Sequence, residues 1–558
     1  MNARRNFALL LALAIPLACS KKSYRESSSK QTRDNRTVYA PPYLTKGKDA
    51  KRLYSRGGKK QRPDRQPSGP RKPAELKNDA EAKARVRHNT ESYDRIYENP
   101  FLAVKTNPLS TFSLDVDTAS YSNTRRFLNQ GRLPPKGAVR IEELVNYFNY
   151  DYQGPRDEKP FGVETEVSRA PWNKKNLLLK IGIAGRNIAA ENMPARNLTF
   201  LLDVSGSMFS RNKLPLLKRS LKLLASQLNE KDRVAIVVYA GASGLILPPV
   251  SGDRKSEILN ALDRLRAGGS TNGGAGIRLA YKIARKIYRK GAVNRVILAT
   301  DGDFNVGTTN RSELIRLIEK ERESGVFLTV LGFGMGNYKD GTMEQLANKG
   351  NGNYAYIDNY AEARKALATQ AGGTLVTIAK DVKLQLEFNP KYVKAYRLIG
   401  YENRLLRAED FNNDKKDAGE IGAGHTVTAL YEIVPRGGKI QLPGVDPLRY
   451  SKEPALSKNA HASELLTVKI RYKQPEGSKS SLLTYRVSNA AKTLKETSRD
   501  FRFAAGVAAF GMLLRDSKHK GQANFAMVRS LAEEGRGKDK HGYRAEFIRL
   551  VQVARSLK

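Results

Sequence analysis

Asn197-Leu-Thr-Phe-Leu-Leu-Asp-Val-Ser-Gly-Ser207 decides the fold: an apolar run ends abruptly in a carboxylate and two hydroxyls. Two further polar tips follow, Gly268-Gly-Ser-Thr271-Asn272 and, after the run Asn294-Arg-Val-Ile-Leu-Ala299, Thr300-Asp301-Gly302. Open α/β sheets gather their sites at the carboxyl ends of strands. Strand-like runs at Leu198 to Leu202, Val234 to Tyr239, Arg295 to Ala299 and Val326 to Leu331 alternate with helix-like segments. Those segments are Leu214 to Leu228, Ser256 to Leu265, Ile277 to Tyr288 and Ser312 to Glu323. Leu214, Leu217, Leu221, Leu224 and Leu228 fall at three- and four-residue steps, one apolar stripe along a helix. The strands are apolar nearly throughout, as when helices cover both faces. The pattern predicts an α/β domain with a doubly wound, mostly parallel sheet.

The three tips together suit a hard divalent cation. Magnesium takes six oxygens in near-octahedral array at about 2.0 to 2.1 Å and is commonly held by one or two carboxylates. Asp203 and Asp301 supply charge, while Ser205, Ser207 and Thr271 supply neutral oxygens. Gly206 would keep the ion uncrowded, and a sixth position stays open. With the aspartates acting largely through water, such an ion stays electron-poor and accepts a carboxylate from a partner. The alternative for Asp-x-Ser-x-Ser is a helix N-cap with a first-turn hydroxyl.

On these residues the chain resembles a von Willebrand factor type A domain. Asp203, Ser205, Ser207, Thr271 and Asp301 correspond one by one to that family's metal-ion-dependent adhesion site. Further motifs resemble a bacterial envelope subfamily: Phe112-Ser-Leu-Asp-Val-Asp-Thr-Ala-Ser-Tyr121, Arg140-Ile-Glu-Glu-Leu-Val-Asn-Tyr-Phe148, Tyr239-Ala-Gly-Ala-Ser-Gly244 and Asp417-Ala-Gly-Glu-Ile-Gly-Ala-Gly-His425. The likeness covers most of residues 96 to 558, with the domain set between an N-terminal module and a C-terminal domain of unknown function. It implies ligand binding through Mg2+, Mn2+ or Ca2+ rather than turnover, the ligand's carboxylate completing the ion's shell. It also implies that a shift of the domain's last helix, near Tyr360 to Gln370, couples site geometry to affinity.

The amino terminus sets an address. Met1-Asn-Ala-Arg-Arg-Asn6 is basic, Phe7 to Leu17 is apolar but short for a bilayer-spanning helix, and Ala18-Cys19 follows. The arrangement looks like a lipoprotein signal peptide with Cys19, the chain's one cysteine, as the lipidated residue. Arg4-Arg5 also resembles a twin-arginine signal, though ordinary basicity of such leaders explains it more simply. The expected location is the cell envelope, anchored to the inner or outer membrane.

Composition divides the rest: a signal peptide over 1–19, a disordered basic tether over 20–95, an α+β region over 96–190, and the α/β domain over 191–373. A β-rich domain over 374–490 and a helical segment over 491–558 follow. The tether is rich in Lys, Arg, Ser, Pro and Gln and offers little apolar surface to offset ordering entropy. Strands at Val163 to Val167, Leu177 to Ile183, Val382 to Phe388, Tyr392 to Leu398, Val427 to Ile433 and Leu465 to Tyr472 predict a sandwich-like frame built from both flanks, the α/β domain inserted. Helices near Ser120 to Gln130 and Ile141 to Phe148 belong to the first flank. Phe501 to Arg515, Phe525 to Glu534 and Tyr543 to Leu557 form a C-terminal cap in which Ala504-Ala-Gly-Val-Ala-Ala509 implies close packing.

A formal net charge of +42 exceeds what the tether carries, with Lys and Arg also crowded at Lys282 to Arg295 and Lys391 to Arg407. No nucleic-acid-binding motif accompanies it, so the expected partners are anionic lipids and an acidic group on a protein or glycan. The five histidines are scattered, and neither a Gly-x-Ser-x-Gly elbow nor a Gly-Lys-Ser/Thr phosphate loop occurs. The sequence therefore reads as a binding protein and not an enzyme. A scaffold subunit recruiting an envelope complex is the second reading. A hydrolase using Asp115 and Asp117 is a distant third, since Thr118 or Ser120 capping a helix explains that cluster more plainly. His425 reads as a loop histidine bonded to backbone.

Overall fold

The computed structural model describes residues 90–114, 117–270, 273–302, 311–370, 375–442, 446, 449–450 and 456–558. The first flank carries strands β1 (Leu102–Ala103) and β2 (Leu109–Ser113), helices α1 (Ala119–Asn129) and α2 (Ile141–Asn146), and the hairpin β3 (Phe161–Ala170) and β4 (Asn173–Gly185). The central domain follows: β5 (Arg196–Asp203), α3 (Leu214–Ser226), β6 (Arg233–Tyr239), β7 (Ser243–Ser251), α4 (Lys255–Arg264), α5 (Gly273–Lys286), β8 (Val293–Thr300), α6 (Arg311–Arg322), β9 (Phe327–Phe333), α7 (Asp340–Lys349), β10 (Tyr354–Ile357) and α8 (Tyr360–Arg364). The second flank has β11 (Thr377–Phe388), β12 (Val393–Ile399), β13 (Gly419–Gly422), β14 (Thr426–Pro435), β15 (Glu464–Lys473) and β16 (Ser480–Ser488). Helices α9 (Arg499–Arg515), α10 (Phe525–Gly535) and α11 (Tyr543–Leu557) come last.

The central sheet runs β10-β9-β8-β5-β6-β7, parallel throughout except for the antiparallel edge β7. The chain winds from β5 through β6 to β7, then returns to β8 on the other side of β5. The strand order therefore reverses between β5 and β8, and their carboxyl ends open the crevice where such sheets bind ligands. Every residue of β8 is buried, because helices cover both faces. The α3 stripe behaves as its spacing requires: Leu214, Leu217, Leu221 and Leu224 are buried on the sheet, each stabilising the fold by roughly 1.5 to 3 kcal/mol. Pro215 sits in the first turn, where no amide hydrogen is missed.

The frame is assembled from both flanks. β14 pairs with β4 (Ile433↔Leu177, Ala429↔Ile181) in the sheet β1-β12-β14-β4-β3. β11 pairs with β2 (Leu384↔Phe112) in the second sheet, which also holds β13, β15 and β16. Leu179 and Ile181 of the first sheet share one core with Leu384, Leu386, Val468 and Ile470 of the second, the sandwich expected. The C-terminal helices pack with α2 around Phe148, Phe503 and Phe547. Gly506 meets α10 so closely that a Cβ there would lie 3.2 Å from Leu531 Cβ, which accounts for the small-residue stretch.

Some expectations need correcting. Residues 90–95, assigned to the tether, are tied to the domain: Thr90 N donates to Gly336 O (2.7 Å) and Glu91 pairs with Arg126 (3.0 Å). One carboxylate facing a buried guanidinium outweighs the polar composition around it. Thr118 makes no side-chain cap on α1. Ser120 Oγ instead donates to Ala138 O (2.7 Å), and Asp117 accepts from Tyr354 N (2.7 Å) and pairs with Arg404 (3.2 Å). Asp117 thus joins the first flank to β10 and the frame; Asp115 lies outside the described residues. The main chain of His425 bonds to Gly422 O and Gly185 N, but its imidazole Nδ1 has no hydrogen bond. Burial and the cations Lys365 and Arg295 push that ring down to about 4, so it is neutral at pH 7. Cys19 and the leader lie outside the described residues. Among those described, no helix is long and apolar enough to cross a membrane.

Candidate metal centre

Asp203 is the last residue of β5 and Asp301 the first after β8, so adjacent parallel strands deliver both carboxylates to the crevice, each fully buried. Asp203 Oδ1 accepts from Ser205 N (2.9 Å); Oδ2 accepts from Thr300 Oγ1 (3.0 Å) and Tyr239 OH (3.2 Å). Burial raises Asp203 to about 6, with the charge of Asp301 adding to the rise and bonds from Ser205 and Thr300 opposing it. Two buried carboxylates at adjacent strand ends call for positive charge, part of which the chain supplies itself through Lys213 beside Asp301.

The first loop is held by its backbone. Val204 N donates to Tyr239 O (3.1 Å), Gly206 N to Gly269 O (3.0 Å), and Gly268 N to Val204 O (2.8 Å). These bonds draw the Gly268–Gly269 tip against the Ser205–Ser207 tip. Ser205 precedes the short turn Gly206–Phe209 but caps nothing there, so the helix-capping alternative does not describe it. Its Oγ is instead hydrogen-bonded to Ser207 Oγ at 3.0 Å. Two ligands at right angles on an ion with bonds of 2.0 to 2.1 Å stand about 2.9 Å apart, so the hydroxyl pair suits adjacent octahedral positions. A Cβ at Gly206 would meet only Gly269 O, at an ordinary 3.5 Å; no protein neighbour demands that glycine. Gly302 is different: its φ is +90° and a Cβ would lie 2.7 Å from Lys339 N. Thr271 lies outside the described residues.

Four residues at the site were not singled out from the sequence. Tyr239 and Thr300 hold Asp203. Lys213 Nζ donates to Asp301 Oδ2 (2.7 Å) and to Asn337 Oδ1 (3.3 Å), and Asn337 Nδ2 donates to Asp301 Oδ2 (3.3 Å). Thr300 stood in the quoted motif and Tyr239 ended a predicted strand, so a polar residue at a strand's carboxyl end was the available signal. Lys213 and Asn337 carried none. Among the described residues no group of three or more His, Cys, Asp or Glu is placed to hold a metal. An ion here would rest on the two carboxylates and on hydroxyls.

The chain contains a von Willebrand factor type A domain: residues 197–370 match the pattern of that domain, and residues 87–180 match one described as von Willebrand factor. Residues 373–557 match the family described as "Uncharacterized protein YfbK, C-terminal". The chain belongs to the YfbK family, being 47% identical over 484 residues to the uncharacterized protein YfbK of Escherichia coli K12, across 85% of this chain and 83% of that one. It is also 26% identical over 184 residues to mouse inter alpha-trypsin inhibitor heavy chain 4, covering 31% of this chain and 19% of that one. Among solved structures it is similar to a von Willebrand factor type A protein from Catenulispora acidiphila, with a TM-score of 0.39 and 16% identity over 70% of this chain and 89% of that one.

Proposed function

We propose that the protein is a lipid-anchored component of the cell envelope that captures an acidic group on a partner through a divalent ion. Magnesium is the first choice, and Asp203, Ser205, Ser207, Thr271 and Asp301 would hold it. The observation that carries this reading is the pair of serine hydroxyls 3.0 Å apart beside two buried carboxylates, at the point where strand order reverses. The ion would supply a hard acceptor for a carboxylate oxygen. The chain fixes the hydroxyls through its loop bonds, keeps Asp203 oriented through Tyr239 and Thr300, and excludes water behind them. Membership of a family whose domains often mediate protein interactions supports binding as the role. The anchor is proposed from the leader and Cys19 alone.

Calorimetric titration of the purified chain with Mg2+ and Mn2+ tests the ion site. One ion should bind per chain, and Asp203→Ala should weaken binding by at least about tenfold, the loss of one charge-assisted contact. Equal binding by the variant, with its circular dichroism unchanged, would refute the assignment. Incorporation of labelled palmitate, abolished by Cys19→Ser, tests the anchor.

A further inference from the structure

We propose that the partner group is an extended protein segment in which an Asp or Glu is accompanied, within a few residues, by a bulky apolar side chain. The carboxylate would meet the ion, on the reading above, and the apolar group would enter a separate groove beside it.

The turn Gly206–Phe209 carries both functions. Ser207, whose Oγ lies 3.0 Å from Ser205 Oγ, is one of the proposed ion ligands, and Phe209, two residues on, is 82% exposed. One exposed ring is ordinary on a protein surface; its position is not. Phe209 lines a cavity of about 550 Å3 that reaches Ser207, Lys213 and Asn337. It also lines a groove of about 430 Å3 formed with Met208, Leu214, Pro215 and Leu265. Both volumes fall in the range of ligand sites, and the two meet at this ring. Because Phe209 borders both, an extended strand advancing about 3.3 to 3.6 Å per residue can place a carboxylate on one side of the ring and an apolar side chain, a few residues away, on the other.

Charge complementarity fixes the sign of the occupant. Lys218, Arg219, Lys222 and Arg266 border the groove against a single carboxylate, Asp263, which Lys222 already pairs at 2.7 Å. A segment bearing negative charge is attracted, while a basic one is repelled. An acidic glycan would satisfy the ion and the cations but has no bulky apolar group for the groove, whose walls would then stay wet. The apolar walls therefore favour a protein.

Panning a random dodecapeptide display library over the full chain in Mg2+, with elution first by EDTA and then by acid to recover metal-independent binders, tests this. The selected peptides should place Asp or Glu within four residues of Leu, Ile, Met, Phe or Trp. For a synthetic representative, replacing the apolar residue by Ser should weaken binding by about tenfold or more, the effect of losing one buried side chain. On the variant Phe209→Ser, whose exposed ring supports no core, the two peptides should bind within about twofold of each other. Mg2+-dependent peptides with no apolar bias, or equal binding of the apolar and Ser forms, would overturn the groove and leave the ion site standing. Binding that is apolar-dependent but indifferent to EDTA and to Asp203→Ala would overturn the ion reading together with the coupling proposed here. Selection of no peptides, with tight Mg2+-dependent binding of polygalacturonate, would overturn the protein segment in favour of a glycan.

Discussion

Lys213 lies against Asp301 because Gly334 lets it pass. With φ at +75°, Gly334 has no Cβ, and one would overlap the Lys213 methylenes. The ammonium is thereby delivered 2.7 Å from a fully buried carboxylate, where it would compete with the proposed ion for the same charge. Removing one member of a buried pair leaves the other charge uncompensated, at a cost of about 3 to 5 kcal/mol. Lys213→Met should therefore lose about that much stability to urea without metal, and recover most of it when Mg2+ is added, more than the parent gains. A variant whose loss is the same with and without Mg2+ would show that the ammonium and the ion do not share Asp301. This pairing was illegible in the sequence because it depends on a side chain's reach across two loops far apart in the chain. The carboxylates and serines were legible, each ending or following an apolar strand.

At the scale of elements, the last helix of the domain is held by the flanks and not only by its own sheet. Arg125 of α1 donates to Asp358 (2.8 Å), Glu362 (2.7 Å), Tyr147 OH (2.9 Å) and Glu546 of α11 (3.1 Å). Beyond α8 the backbone continues as a π-turn over Lys365–Thr369, and Lys365 Nζ donates to Tyr147 O (2.6 Å) beneath the Tyr147 ring. Burial lowers Lys365 to about 7 from its ordinary 10.5; Arg125 acts the same way, while Glu362 and Glu546 oppose the shift. Between these values the unfolded chain keeps a proton that the folded chain releases. Stability attributable to this residue therefore rises with pH over that window. Lys365→Met should be more stable than the parent at pH 6.5, and its advantage should shrink by about 3 kcal/mol by pH 9.5. Urea denaturation at the two pH values checks this, and a pH-independent difference would contradict it. Helix periodicity made α3, α4, α5 and α6 legible, whereas β7 and β16 were not read. β7 contains Pro248 and Pro249, which only an edge strand tolerates, and β16 is largely exposed, so neither shows the apolar run of a core strand.

For the whole molecule, the decisive fact is that strands from before and after the central domain pair with each other. The alternating runs on both flanks made a sandwich legible, but partners and register depend on contacts more than two hundred residues apart in the chain, which no local pattern encodes. In β11, Leu384 faces Phe112 of β2; in β14, Leu430 faces Lys180 of β4. A fragment of residues 374–558 alone would leave both strands with an unpaired edge and expose the shared core to water. It should show no cooperative urea transition, although its boundaries nearly coincide with those of the matched C-terminal family. The strands that lead into and out of the insertion lie side by side: a Cβ at Gly185, the end of β4, would stand 3.0 Å from the Ile378 side chain of β11. Joining residues 90–190 to 374–558 through a short Gly/Ser linker should therefore restore a cooperative transition. Its stability should fall below the parent's, because the Arg125–Asp358 and Arg140–Asp340 pairs across the junction are gone. Cooperative unfolding of 374–558 by itself, or none in the joined frame, would mean that the flanks do not fold as one body around the domain they carry.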